Sequence, residues 1–223
     1  MNYNDYEIKD FTQERSLSFN DSFAILMRKV YLWMAMALVI TGVTSYGVAS
    51  SPGLMQAILT NNALLWVLII AEFGLVFAIS AAINKLSLTT ATLLFVLYSV
   101  INGATLSVIF LVYTMESIAS VFFITAGTFG VMAFIGYTTK KDLTSLGKML
   151  LMALIGLIIA TLVNVFFIQS SGFSLIVSYV GVLIFVGLTA YDSQKIKQML
   201  LQAPDAGESA QKLALLGALT LYL

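Results

Sequence analysis

Apolar positions in this chain fall in long unbroken blocks rather than in the alternating or three-to-four-residue rhythms of a water-soluble fold. Six blocks, at 30–49, 64–83, 93–113, 118–137, 146–168 and 173–191, are separated by short polar stretches. Each comes close to the roughly 20 residues that a helix needs to cross about 30 Å of hydrocarbon. Lipid offers the backbone no hydrogen-bond partners, so blocks of this length predict transmembrane helices. Apolar character resumes at Leu213 and runs to Leu223, a stretch that spans only about 16 Å as a helix. The predicted fold class is an all-α membrane protein, a seven-helix transmembrane bundle with the seventh helix (213–223) truncated.

Composition agrees: 60% of the residues are hydrophobic, 10% are charged and the mean hydropathy is +0.96, which excludes a wetted globular surface. The chain divides into a polar N-terminal tail, 1–29, and a single transmembrane bundle domain, 30–223. The first block is longer than the roughly 7 to 15 apolar residues of a cleavable signal, so it is expected to be retained. Threading the chain back and forth puts Lys9, Arg15, Arg28, Lys29, Lys85, Lys140, Lys141, Lys148, Lys195, Lys197 and Lys212 on the face where the N-terminus starts. Short cytoplasmic loops hold the excess of basic residues, so the N-terminus is expected to be cytoplasmic. The opposite loops carry only Glu116. Lys140 and Lys141 are explained by that orientation, and no nucleic-acid partner is expected.

The absence of Cys and His removes thiol chemistry, histidine bases and histidine metal ligands. No serine–histidine pair can form, and an aspartyl protease needs two converging carboxylates, so the chain is not expected to be an enzyme or to carry a cofactor. The two prolines, Pro52 and Pro204, lie in loops, and no internal repeat is visible, which argues against a secondary transporter.

Polar groups inside the blocks are the candidate chemistry. Ala71, Gly74, Ala78 and Ala81 on span two, and Gly127, Gly130 and Ala133 on span four, form small-residue seams expected to pack helices closely. Ser99, Asn102, Thr105 and Ser107 give span three a polar face, suited to interhelical hydrogen bonds or to the wet lining of a pore. Glu72 lies eight residues from one end of its block and eleven from the other, too deep to reach either interface. It must be protonated, hydrogen-bonded or beside water, and an intramembrane carboxylate is a functional candidate. Asp192 follows Tyr191 at the end of span six, where the helix dipole disfavours an anion, so it calls for a cationic partner. Lys85, at the same membrane level after span two, is the expected one.

Tight calcium sites use about six to eight oxygen ligands. Glu72, Asp192, Asn102 and Asn164 sit on different blocks and depths, so no high-affinity metal site is expected. Weak calcium contact at Asp192 and Glu72 suits a permeating ion better than a stored one.

Residues 136–143, Gly-Tyr-Thr-Thr-Lys-Lys-Asp-Leu, and 187–197, Gly-Leu-Thr-Ala-Tyr-Asp-Ser-Gln-Lys-Ile-Lys, resemble signature segments of the Bax inhibitor-1 (transmembrane Bax inhibitor motif) family, bacterial type. The likeness runs from Arg28-Lys29-Val30-Tyr31 to the closing Ala218-Leu219-Thr220-Leu221-Tyr222-Leu223. The resemblance implies six helices around a central one, a pH-sensitive calcium leak, a bacterial inner (cytoplasmic) membrane and association with a membrane-bound ATP-dependent protease. It also matches Asp192 to the first member of an aspartate pair and Glu72 to an acidic position on span two. The second aspartate would directly follow Leu223, and the family's basic position on span two lines up with Ile83, leaving Lys85 as substitute.

The leading expectation is that Glu72 and Asn102 line an ion pathway for calcium. Asp192, paired with Lys85, closes it when ionised and opens it on protonation. The rival expectation is an adaptor whose polar tail, residues 2–21, docks a partner such as the protease.

Overall fold

Because hydrocarbon leaves the backbone no outside partner, each apolar block has to close its own hydrogen bonds, and every regular element among the described residues is helical. The computed structural model describes residues 3–203 and 206–223, with side chains from Asp21 onward. The helices are α1 (Tyr3–Ala49), α2 (Pro52–Thr60), α3 (Asn62–Ala82), α4 (Leu88–Leu106), α5 (Ile109–Val112), α6 (Met115–Thr138), α7 (Thr144–Val163), α8 (Ser171–Leu201) and α9 (Glu208–Tyr222). A π-helical turn, Asn164–Ile168, continues α7.

Six segments are long and apolar enough to cross a membrane: Asp21–Ala49, Asn62–Ala82, Leu88–Val112, Met115–Thr138, Thr144–Ile168 and Ser171–Leu201. They coincide with the six predicted blocks, and the chain is an integral membrane protein. Several boundaries differ. The segment between the first two blocks, expected as loop, is helix α2, opened by Pro52 at a first-turn position where its missing N–H costs nothing. The block 93–113 breaks after Leu106, where the Ser107 hydroxyl donates to the Ala104 carbonyl at 2.6 Å and competes with the helical ladder. Helix α9 begins at Glu208, before the apolar stretch, and reaches about 22 Å in 15 residues.

The chain forms two compact units: Ala119–Gln198 is one, and the rest of the described chain is the other. In the first unit, α1 packs against α4 and α9, α4 against α9, and α3 against α4. Helix α1 buries Leu26, Val30, Met34, Ala37, Thr41 and Ser45, a stripe with steps of three or four residues. Helix α4 buries Ala91, Phe95, Ser99 and Gly103 with the same period. Helix α9 answers with Ala210, Ala214, Gly217 and Ala218, whose small side chains let it approach closely. Trp66, Phe73 and Phe77 of α3 stay exposed, an apolar surface that acyl chains rather than water can cover.

In the second unit, glycines mark where helices meet. A Cβ at Gly136 of α6 would collide with the Ala190 carbonyl of α8, and one at Gly147 of α7 would enter the Tyr191 ring. At Gly187 it would lie 2.6 Å from Leu150. The predicted seams are different positions. Around Gly74, Gly127 and Gly130 an added Cβ meets nothing within 4 Å, so those glycines do not seat helices in this chain. Only Ala133 of the two seams is buried. A small-residue spacing says where close approach is permitted, whereas the crossing point of a partner decides where it occurs.

This contrast is testable by thermal unfolding in detergent. Gly136→Ala, forced against the Ala190 backbone, and Gly103→Ala, whose Cβ would lie 2.6 Å from the Thr41 carbonyl, should each cost about 1–3 kcal/mol. Gly74→Ala and Gly127→Ala should be neutral or stabilising by up to about 1 kcal/mol from helix propensity. Equal melting of Gly136→Ala and the parent would remove the close contact.

Candidate functional site

The first unit brings together two of the predicted site residues. Glu72 stands on α3, and its Oε1 is closed to solvent and has no hydrogen-bond partner among the described residues. The packing of α3 on α4 sets Glu72 within electrostatic range of the phenols of Tyr98 on α4 and Tyr222 on α9. Asn102, one turn beyond Tyr98, donates its amide to the Tyr98 hydroxyl at 3.3 Å. The Tyr98 and Tyr222 rings meet edge to face with centroids 5.5 Å apart, and Phe95 holds Tyr222 from a second side at 5.8 Å.

The hydroxyl of Tyr222 is bonded to that of Thr41. Thr41 gives its own proton to the Ser99 carbonyl at 3.0 Å, so Tyr222 is the donor to Thr41. The remaining polar residues of span three serve their own helix. Ser99 donates to the Phe95 carbonyl at 2.9 Å and Thr105 to the Ile101 carbonyl at 3.2 Å. Asn102 alone of that predicted face reaches another side chain.

Helix α9 is fixed at its start, which places Tyr222 at its far end. The Glu208 carboxylate accepts the Leu88 N–H at 3.1 Å, capping α4, and pairs with Lys212 at 3.1 Å. These two partners, the backbone N–H first, hold the Glu208 carboxyl below the usual carboxylate range. Lys29 of α1 donates to Gln211 at 2.8 Å, a second tie to α9. Lys85, the predicted gate partner, follows α3 in this unit with its side chain exposed.

Asp192 stands on α8 in the second unit and is half-buried. Lys195, one turn along the same helix, is the cation that acts on it. Its neighbours are engaged with the 136–143 segment. Gln194 donates its amide to the Lys141 carbonyl at 2.7 Å and accepts the Leu143 N–H at 2.8 Å, clamping the loop between α6 and α7. Lys197 donates to the Tyr137 carbonyl at 2.7 Å and lies 5.0 Å from the centre of that ring. Beyond the loop, Asp142 accepts the Thr144 N–H at 2.9 Å at the start of α7, which keeps its carboxyl below the ordinary range.

Sequence reasoning missed Gln194, because a glutamine near a helix end reads as a solvated residue; its place inside the 187–197 segment was the available signal. Asn164 is spent on the turn between α7 and α8, bonded to Ser170 and to Ser174 at 2.7 Å. Among the described residues no group of three or more carboxylates gathers to hold a metal ion.

The family model described as "Inhibitor of apoptosis-promoting Bax1" matches residues 24–223. The chain is 50% identical over 198 residues to "Inner membrane protein YbhL" of Escherichia coli, covering 88% of this chain and 84% of that one. It is 45% identical over 215 residues to a protein of Borreliella burgdorferi, covering 96% and 91%. To protein RP147 of Rickettsia prowazekii it is 38% identical over 219 residues, covering 98% and 92%.

The Glu208 anchor gives a pH dependence with a definite sign. A carboxylate favoured in the folded state contributes at pH values above its ordinary range and loses that contribution as pH falls below about 4. A nitroxide attached at Ser209→Cys, clean because the chain has no other cysteine, should be immobile at pH 7 and gain mobility below about pH 4. Glu208→Gln should show that mobility already at pH 7, and an equally immobile label in Glu208→Gln would exclude the anchor.

Proposed function

We propose a function from one premise: the chain belongs to the Bax inhibitor-1 family. In this reading it is a pH-sensitive calcium leak of the membrane. The observation that carries it is the Glu72 Oε1, a carboxylate oxygen on a span, shut from solvent and without a hydrogen-bond partner. Such a group is costly to keep in an apolar scaffold unless a cation or a proton visits it. Glu72 and Asn102, joined through the neighbourhood of Tyr98, are the pathway residues. Contact with calcium at Glu72 and Asp192 is weak, which allows release and hence conduction.

Asp192 is the gate. Ionised and paired with a cation, Lys85 being the partner expected from its level in the bilayer, it closes the cytoplasmic end; protonated, it opens that end. Acid therefore raises flux. The finer architecture of this reading is a seven-helix bundle with α9 as its central helix, which fits the buried small-residue face of α9. The basic residues place the N-terminus in the cytoplasm. The membrane is the inner membrane of a bacterium, as the name of the Escherichia coli relative says of that protein. The reading contains no catalysis and no cofactor.

Calcium flux into liposomes, followed against pH, tests it. Glu72→Gln should lower flux about tenfold, the worth of one charge-assisted contact. Asp192→Asn should leave flux high and insensitive to acid. Unchanged flux and an unchanged pH response in both variants would end the reading.

A second reading, a membrane adaptor for a membrane-bound ATP-dependent protease, has one observation in its favour. Helix α1 carries the polar tail as a direct continuation of the first span, 47 residues in all, about 70 Å and more than twice the hydrocarbon thickness. The tail side chains before Asp21 lie outside the described residues. Deleting residues 2–20 separates the two functions: the adaptor reading expects loss of the protease from a pull-down with calcium flux unchanged, and retained binding would exclude it.

A further inference from the structure

The reading of Glu72 as part of an ion route, on which this inference rests, leaves open what holds its carboxylate in place. A count of hydrogen-bond donors answers it. A tyrosine hydroxyl has one proton to give and lone pairs to accept with. Two phenols act on Glu72, Tyr98 from α4 and Tyr222 from α9; α2, which also packs on α3, carries no titratable residue. The Tyr222 proton is committed to Thr41, because the Thr41 proton is committed to the Ser99 carbonyl. Tyr98 accepts from the Asn102 amide, and its own proton has no acceptor among the described residues. In the same unit, Glu72 Oε1 is the buried side-chain oxygen that has no donor. An unspent donor and an unmet acceptor, both in apolar surroundings, stand on packed helices.

The ring of Tyr98 is held on two sides. It is buried, its face is set against the Tyr222 ring, and its oxygen is tied to Asn102. The hydroxyl proton is thus the part left free to turn, which makes Tyr98 a donor at a fixed position.

We infer that Tyr98 is the positioning residue for Glu72: its phenol proton, directly or through one bridging water, orients the ionised carboxylate so that the second carboxylate oxygen faces the passing cation. Asn102 acts one step further back, by occupying the Tyr98 lone pair and directing the proton toward α3. One bridging water preserves most of the strength of such a bond. The selectivity of the site then comes from one charged oxygen donor held by neutral groups, a ligand set that attracts a hydrated divalent cation without trapping it.

The test uses the full chain in liposomes and a two-by-two set of variants: the parent, Tyr98→Phe, Glu72→Gln and both together. Tyr98→Phe keeps the ring and its packing, and its thermal unfolding should match the parent. The calcium concentration that gives half-maximal flux should rise about fivefold to tenfold in Tyr98→Phe, the worth of one lost hydrogen bond. On the Glu72→Gln background the same substitution should add nothing.

A second readout is independent of flux. The infrared carboxyl stretch of protonated Glu72, assigned by its loss in Glu72→Gln, should move to higher frequency in Tyr98→Phe as the carboxyl loses a hydrogen bond. Unchanged half-saturation and an unmoved band, or an equal effect of Tyr98→Phe with and without Glu72, would overturn the inference and leave Tyr98 a core aromatic. If Glu72→Gln itself leaves flux unchanged, the ion-route reading falls first, an outcome visible without any Tyr98 variant.

Discussion

A polar group in hydrocarbon has no solvent to bond, so it must find its partner within the chain, and that requirement organises this protein. The backbone meets it by being helical. Most span hydroxyls meet it by folding back: Thr128, Thr138, Thr161, Ser178 and Thr189 each donate to the carbonyl four residues earlier. Against that habit the exceptions stand out. Thr41 reaches across from α1 to α4, Asn102 reaches a phenol, Gln194 reaches a loop, and the buried oxygen of Glu72 reaches nothing. Functional chemistry is to be sought where a polar group is not silenced by its own helix.

The same requirement explains why the two segments that carry the family likeness belong together. Residues 136–143 and 187–197 are far apart in sequence but are each other's partners. Gly136 leaves room for the Ala190 backbone, Gln194 takes both a donor and an acceptor of the 141–143 loop, and Lys197 caps the Tyr137 carbonyl. A loop at the edge of a bilayer would otherwise have backbone groups half in water and half in lipid. Here one amide side chain satisfies two of them, with the bidentate geometry that only Asn or Gln supplies.

Much of the fold was legible from hydropathy, because length and apolar character fix the existence of a span. Its ends were not. Helices α1 and α8 continue past the apolar blocks, since intrahelical bonds do not stop where hydropathy does, and Ser107 breaks a block that hydropathy reads as continuous. The glycines of the predicted seams proved to face open space, while Gly103, Gly136 and Gly147 seat the contacts. Of the site, the depth of Glu72 could be counted along the sequence. Its relation to Tyr98 could not, because a tyrosine in an apolar block reads as core, and only the packing of α3 on α4 makes it a neighbour. Asp192 was found by its position, but Lys195, not a residue on another span, is the cation acting on it within its own unit.

The grip of α8 on the end of α6 has a mechanical consequence. Ala190, Gln194 and Lys197 lie on successive turns, and each engages α6 or the loop that follows it. Asp192 sits between the first and second of these attachments, so it cannot swing independently. A change in its ionisation would have to be transmitted to a braced strut of two helices, which converts a local chemical event into a displacement at the scale of a whole element.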